Sequence, residues 1–187
     1  MSLVIAAISK DNDIVVCSEG RTVDTITDKA LEENTIKSYL INESLIVGFV
    51  GHQIRITNLK LYLQMLYSNF AKWKIDDVYN EVIKYENENI NEEGEIQFLA
   101  AGYDDNNNPH LYVVSADQTI VVSSDFISNK TVSIGDMDCV LNFDKENNDN
   151  KTIEIKIVET IKERSKVNHL INNNVNRRLH LFNPLHK

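Results

Sequence analysis

Residues 2–21, SLVIAAISKDNDIVVCSEGR, set the expectation for the whole fold. They contain two short apolar, β-branched runs, residues 3–8 and 14–17, which are separated by the polar segment 9–13. This pattern predicts a β-hairpin. Because each run is apolar at consecutive positions, both faces of the hairpin are expected to be buried. Such strands need a covering layer on each side.

The next segment of the chain repeats this pattern and then changes to a helical one. Residues 35–41 (TIKSYLI) and 45–50 (LIVGFV) form a second strand-like pair around the turn 42–44, so the chain is expected to open with four strands. Beyond them the apolar spacing is that of a mostly buried helix, predicted over 54–70, followed by a second helix over 75–88.

The second half of the chain predicts mainly strands. Four short ones are expected, over 96–101, 110–114, 119–122 and 131–134. Residues 152–166 are predicted to be helical, although the isoleucines at their start would also fit a strand, and a last strand is expected over 175–182. Helices and strands are segregated, which indicates an α+β fold with antiparallel sheets. A four-layer αββα sandwich, formed by residues 1–187 as a single domain, would cover every strand on both faces.

Charge and composition exclude several classes of protein. The chain has 187 residues, with 28 acidic and 19 basic side chains and a net charge of −9, which disfavours binding to nucleic acid. Cys17 and Cys139 lie in apolar stretches without a CxxC spacing, so buried thiols are expected, and the five histidines show no metal-binding spacing. No metal or other cofactor is expected. Residues 1–13 lack the features of a signal peptide or membrane anchor, so a cytoplasmic protein is expected.

Four segments, in this order along the chain, resemble proteasome β subunits and the related bacterial peptidase of the two-component ATP-dependent protease. They are residues 2–21, which end in an acidic residue two positions before an arginine, ESLIVGFVGH (43–52), FLAAGYDDNNNPHLYVVSADQT (98–119) and SIGD (133–136). Both relatives are N-terminal-nucleophile (Ntn) hydrolases. The resemblance extends over almost all of the chain and implies the same αββα sandwich.

The resemblance also implies a site at the start of the chain. In this family the first residue of the mature protein is a threonine, whose hydroxyl attacks a carbonyl while its own α-amino group accepts the proton. Ser2 takes this position if Met1 is removed, whereas an attached methionine would turn the amine into an amide, which cannot act as a base. The family's acidic and basic residues after the second strand correspond to Glu19 and Arg21.

Other members of the family's charge network are altered in this sequence. The buried lysine that lowers the pKa of the nucleophile should fall within residues 35–37, where the count from GFVG reaches Ile36 and Lys37 is adjacent. Asp136 stands where the family has a serine. The family's late aspartate and serine are replaced by Asn168 and by Ile171 or Asn172.

Two functions of different classes follow from the resemblance. One is a catalytically degenerate relative that keeps the fold as an assembly or binding module. The other is an active amide hydrolase or peptidase that uses Ser2, with Glu19 and Lys37 as electrostatic helpers. The resemblance implies self-association, as a ring or a dimer, and an ATP-dependent unfoldase as a candidate partner. In simpler interpretations Glu19 and Arg21 form a structural pair at a turn, and Lys37 is a solvated charge.

Overall fold

The computed structural model describes residues 3–8, 12–18, 22–23, 30–32, 35–127, 131–135 and 178–182. The described elements are, in chain order, β1 (Leu3–Ile8), β2 (Ile14–Ser18), β3 (Thr22–Val23), β4 (Ala30–Glu32), β5 (Ser38–Asn42), β6 (Leu45–Gly51), α1 (Gln53–Met65), a 3-10 helix (Tyr67–Lys72), α2 (Ile75–Glu88), β7 (Ile96–Tyr103), β8 (Pro109–Ala116), β9 (Val121–Ile127), β10 (Thr131–Gly135) and β11 (Arg178–Phe182). The predicted helix 152–166 lies outside the described residues.

Most of the predicted strands and both predicted early helices are confirmed, with three corrections. Two additional strands, β3 and β4, precede β5, and their lengths of two and three residues are too short to give a sequence pattern. The predicted helix 54–70 ends at Met65, and the chain then turns where Asn42 Nδ2 donates hydrogen bonds to the carbonyls of Phe70 and Trp73. The strand predicted over 119–122 begins only at Val121, because the Asp117 carboxylate accepts hydrogen bonds from the backbone N–H groups of Thr119 and Ile120.

The strands form two larger antiparallel sheets and one small one. The order is β10-β1-β2-β11 in the four-stranded sheet, β5-β6-β7-β8-β9 in the five-stranded sheet, and β3-β4 in the third. In the four-stranded sheet β1 lies between β10 and β2, with Leu3 opposite Gly135 and Val4 opposite Ser18. All six residues of β1 are buried, as the sequence predicted.

The four-stranded and five-stranded sheets stack face to face. Their shared core contains side chains from β1, β2, β6, β7, β8 and β10, namely Val4, Ala6, Ile8, Ile14, Val16, Ile46, Val50, Leu99, Ala101, Tyr103, Leu111, Val132 and Ile134. Gly48 lets the sheets approach closely, because a Cβ atom at this position would lie 2.9 Å from Val4 Cγ1. The predicted stacking of two antiparallel sheets is therefore confirmed.

Helices α1 and α2 cover the outer face of the five-stranded sheet. Phe49 and Phe98 of the sheet pack edge to face with ring centroids 5.4 Å apart, in a core to which α1 contributes Leu59 and α2 contributes Val82. In the part of the chain that the structure describes, neither helix has the length and apolarity needed to cross a lipid bilayer.

A buried ion pair joins α1 to α2 and to the loop that follows α2. The guanidinium of Arg55 donates to Glu86 Oε2 from Nη2 at 2.6 Å and from Nε at 3.1 Å. Its Nη1 donates to the carbonyls of Gly94 at 2.6 Å and Glu92 at 3.3 Å. Arg55 therefore holds both helices and this loop together.

Candidate functional site

The strand termini that adjoin the predicted site residues lie at one end of the sandwich. At this end β1 and β5 begin, while β2 and β10 end. The hydroxyl oxygens of Ser18 and Ser38 lie 3.1 Å apart and connect the two sheets. A second connection is formed by the backbone N–H of Gly135, which donates to Gln97 Oε1 at 2.5 Å.

Four of the five predicted site residues, Ser2, Glu19, Arg21 and Asp136, lie outside the described residues. Three of them directly adjoin residues at this end of the sandwich: Ser2 precedes Leu3, Glu19 follows Ser18, and Asp136 follows Gly135. Leu3 is opposite Gly135, and the residue after Leu3 is opposite Ser18. The structure thus brings together the chain neighbours of these residues, and the roles of the residues themselves stay predictions.

Lys37, the fifth predicted site residue, is buried at the same end. Only 4% of it is exposed, so the interpretation of Lys37 as a solvated charge is wrong. Its carbonyl accepts the backbone N–H of Phe49 at 2.9 Å, which extends the pairing of β5 with β6. The sequence missed this burial because it does not show that the start of α1 covers the position.

Lys37 lines a cavity of about 30 Å³, which is large enough for about one water molecule. The cavity lies between the start of β5, the end of β6 and the first turns of α1, and its lining residues are Thr35, Ile36, Lys37, Phe49, Val50, Gly51, Gln53, Ile56 and Lys60. Two of these described residues are lysines, and none of them is acidic.

Lys60 is the lining residue that sequence analysis missed. Its Nζ donates to Tyr39 Oη at 2.7 Å and lies 4.5 Å from the ring centroid of Tyr39 and 5.2 Å from that of Phe49. These contacts hold the ammonium group against aromatic faces on the rim of the cavity. The only signal in the sequence is that Lys60 lies one helical turn after the buried Ile56.

Gly51 fixes the junction between β6 and α1 beside the cavity. Its φ is +131°, and a Cβ atom would fall 2.2 Å from the carbonyl oxygen of Glu95. The next residue, His52, donates its backbone N–H to the same oxygen at 2.7 Å. The first turn of α1 contains no acidic residue, so no carboxylate there offsets the positive end of the helix dipole.

The outer face of α1 is a second surface of interest. Ile54, Leu61 and Met65 are 65%, 55% and 77% exposed, and their spacing of seven and four residues places them on one side of the helix. We call these three residues the α1 stripe. Within α1, which the structure describes in full, the exposed positions carry no charged side chain, and the remaining ones are Gln53, Thr57 and Gln64.

Histidines and cysteines of the described ranges do not form a metal site. No group of three or more His, Cys, Asp or Glu side chains is arranged to hold a metal ion there. His110 lies between two carboxylates, with Nε2 3.4 Å from Asp104 and Nδ1 3.3 Å from Asp125. Cys17 is buried, as predicted, and Cys139 lies outside the described residues.

The stacked antiparallel sheets, with β1 in the middle of the four-stranded one, define the proteasome-like fold that the sequence resemblance implies. The solved structure of the eukaryotic HslV from Trypanosoma brucei is similar to this chain, with a TM-score of 0.68 and 11% sequence identity, over 96% of this chain and 98% of that one. At this identity the similarity shows the fold alone. No protein-family model matches the sequence, and no curated protein matches it.

Proposed function

We propose that this chain is a proteasome-like Ntn-fold protein with a degenerate catalytic site that acts as an assembly or binding module. The α1 stripe is the observation that carries this proposal. A helix with apolar residues on all its faces is normally buried on all of them. Here one of those faces is exposed, which favours a second protein surface that covers it.

The chemistry of the α1 stripe suits a protein contact. Burying a large aliphatic side chain completely is worth roughly 1.5–3 kcal/mol, so three half-exposed ones offer a few kcal/mol to an interface. No charge has to be desolvated at the exposed positions of α1, although the chain carries a net charge of −9. A neutral, apolar surface of this kind also limits repulsion between two acidic copies.

Self-association is the interaction that we propose for this surface, as a ring or a dimer, with an ATP-dependent unfoldase as the second candidate partner.

Loss of catalysis is supported by the sequence, because Asp136, Asn168 and Ile171 or Asn172 stand where the family has a serine, an aspartate and another serine. Groups that act as one catalytic unit lose most of their rate when one member is absent.

The double substitution Leu61→Lys/Met65→Lys tests this interface. We expect light scattering to give a molar mass for the wild type above the 21.4 kDa of one chain and a lower mass for the double variant, because four charges would enter each two-chain contact. The matched control is Asn80→Lys, at an exposed position of α2, which should keep the wild-type mass. A wild type that is monomeric at every concentration, or a double variant with unchanged mass, would contradict the proposal.

An active hydrolase is the second candidate function, and the convergence of Leu3, Ser18 and Gly135, the chain neighbours of predicted site residues, at one end of the sandwich is the observation that favours it. In this alternative the Ser2 hydroxyl attacks an amide carbonyl, its α-amino group accepts the proton, and the charges of Lys37 and Glu19 support the reaction. The mechanism requires a free amine at residue 2.

Intact mass and covalent labelling separate the two functions. If the chain is degenerate, a hydroxyl-directed covalent inhibitor leaves the mass unchanged and short peptidyl amides are not hydrolysed. Loss of the Met1 mass together with an inhibitor adduct that disappears in Ser2→Ala would refute the degenerate site and establish the hydrolase. Retained Met1 without turnover would eliminate the hydrolase.

A further inference from the structure

Strand β9 forms one edge of the five-stranded sheet. Among the strands that the structure describes, it pairs only with β8. Residues 122–125 are exposed, and Val122 and the preceding Ile120 are each 53% exposed. Its outer backbone N–H and C=O groups are therefore accessible to another strand.

Strand β9 lacks the features that normally keep an edge strand from pairing with another chain, such as irregular register, proline or basic residues. At the opposite edge of the sheet, β5 has five residues and a register shift between Leu40 and Asn42. In contrast, β9 has seven residues, pairs with β8 without a register shift along its described length, and contains no proline, lysine or arginine. Its one charged residue, Asp125, lies 3.3 Å from His110 Nδ1 on the neighbouring strand.

We propose that β9 pairs antiparallel with β9 of a second copy of this chain, about a two-fold axis at Ser124. This register places Val122 opposite Phe126, Ser123 opposite Asp125, and Ser124 opposite itself. No like charges face each other. A parallel, in-register pair would place Asp125 beside Asp125, which is unfavourable.

The side chains of one β9 face also fit this arrangement. Val122 and Phe126 lie on the same face of the strand, four residues apart. Phe126 packs against the core between the sheets, whereas Val122 is half-exposed. In the dimer each Val122 would lie opposite Phe126 of the other copy, so this pair would form twice. Aromatic and β-branched residues are a favourable cross-strand pair. The joined sheet would have ten strands, within the range of known sheets.

This interface goes beyond the proposed contact through the α1 stripe and uses a different surface. The two can therefore be separated by working in the Leu61→Lys/Met65→Lys background, which disrupts the α1 contact. In that background we expect light scattering to show a dimer, with twice the 21.4 kDa of one chain.

Opposite charges at Ser124 test the register directly. Adding Ser124→Lys or Ser124→Asp separately should raise the dimer dissociation constant about tenfold or more, because like charges then face each other at the axis. An equimolar mixture of these two variants should restore the dimer, and circular dichroism confirms that each variant is folded. The control Asn80→Lys in the same background should leave the dimer intact. A background protein that is already monomeric, an unchanged dissociation constant in Ser124→Lys, or a mixture that does not reassociate would each overturn the proposal.

Discussion

Replacing Arg55 with leucine is expected to lower the free energy of unfolding by about 3–5 kcal/mol, the cost of breaking a buried ion pair from one side. The Arg55 side chain is fully buried and Glu86 is 1% exposed. Without the guanidinium, the Glu86 carboxylate is left unpaired in the interior, and the carbonyls of Glu92 and Gly94 lose their donor. Among the described atoms, Glu86 Oε1 is already buried without a hydrogen-bond partner.

The destabilisation should depend on pH in a defined direction. Burial raises the pKa of Glu86, and the nearby Arg55 guanidinium acts in the opposite direction. In Arg55→Leu the raising effects of burial and of the Glu92 charge remain without the opposing guanidinium, so the folded-state pKa of Glu86 rises further above the unfolded one. A group with a raised folded pKa loses stability as pH rises through the interval between the two values. The deficit of the variant relative to wild type should therefore shrink as pH falls from 7 towards 5.

Urea unfolding of both proteins at pH 7 and pH 5 measures this prediction. The control is Lys84→Leu, which removes the exposed ion pair between Lys84 and Glu81 and should cost less than about 1 kcal/mol. If Arg55→Leu were no less stable than Lys84→Leu, or if its deficit were the same at both pH values, the Arg55–Glu86 pair would not have the role assigned to it.

The sequence predicts those parts of the fold in which local pattern and structure agree. The hairpin of β1 and β2 follows from two β-branched runs, and α2 has apolar positions on one face with acids between them, so its bounds are predicted correctly. The pairing of Arg55 with Glu86 could not be predicted, because 31 residues separate them and their contact depends on how α1 packs against α2.

For the candidate site, the sequence supplies residues but not their surroundings. Lys37 is predicted because it adjoins Ile36, the residue that the count from the GFVG segment reaches. Its burial, and the place of Lys60 in the cavity, depend on how α1 packs. The α1 stripe is the opposite case. Apolar residues on all faces of α1 predicted a mostly buried helix, and only the structure shows that Leu61 and its neighbours on the stripe are exposed.

The second large effect is expected in the hydrogen exchange of β1. This strand is paired on both sides, by β2 and β10, and all its residues are buried. Its amides can therefore exchange only when the whole sandwich opens. For a small domain of ordinary stability, that slows exchange by a factor of about 10³–10⁸ relative to an unfolded chain. The exposed turn residues 105–108 provide the internal comparison within the same protein.

Hydrogen–deuterium exchange followed by mass spectrometry of peptides that cover residues 3–8 is the most direct measurement. If the chain's leading strand occupies the centre of the molecule, these peptides gain deuterium last, long after those that cover residues 105–108. Deuterium uptake over residues 3–8 as early as in that turn would show a peripheral strand, and the proteasome-like arrangement with its site at the start of β1 would then be wrong.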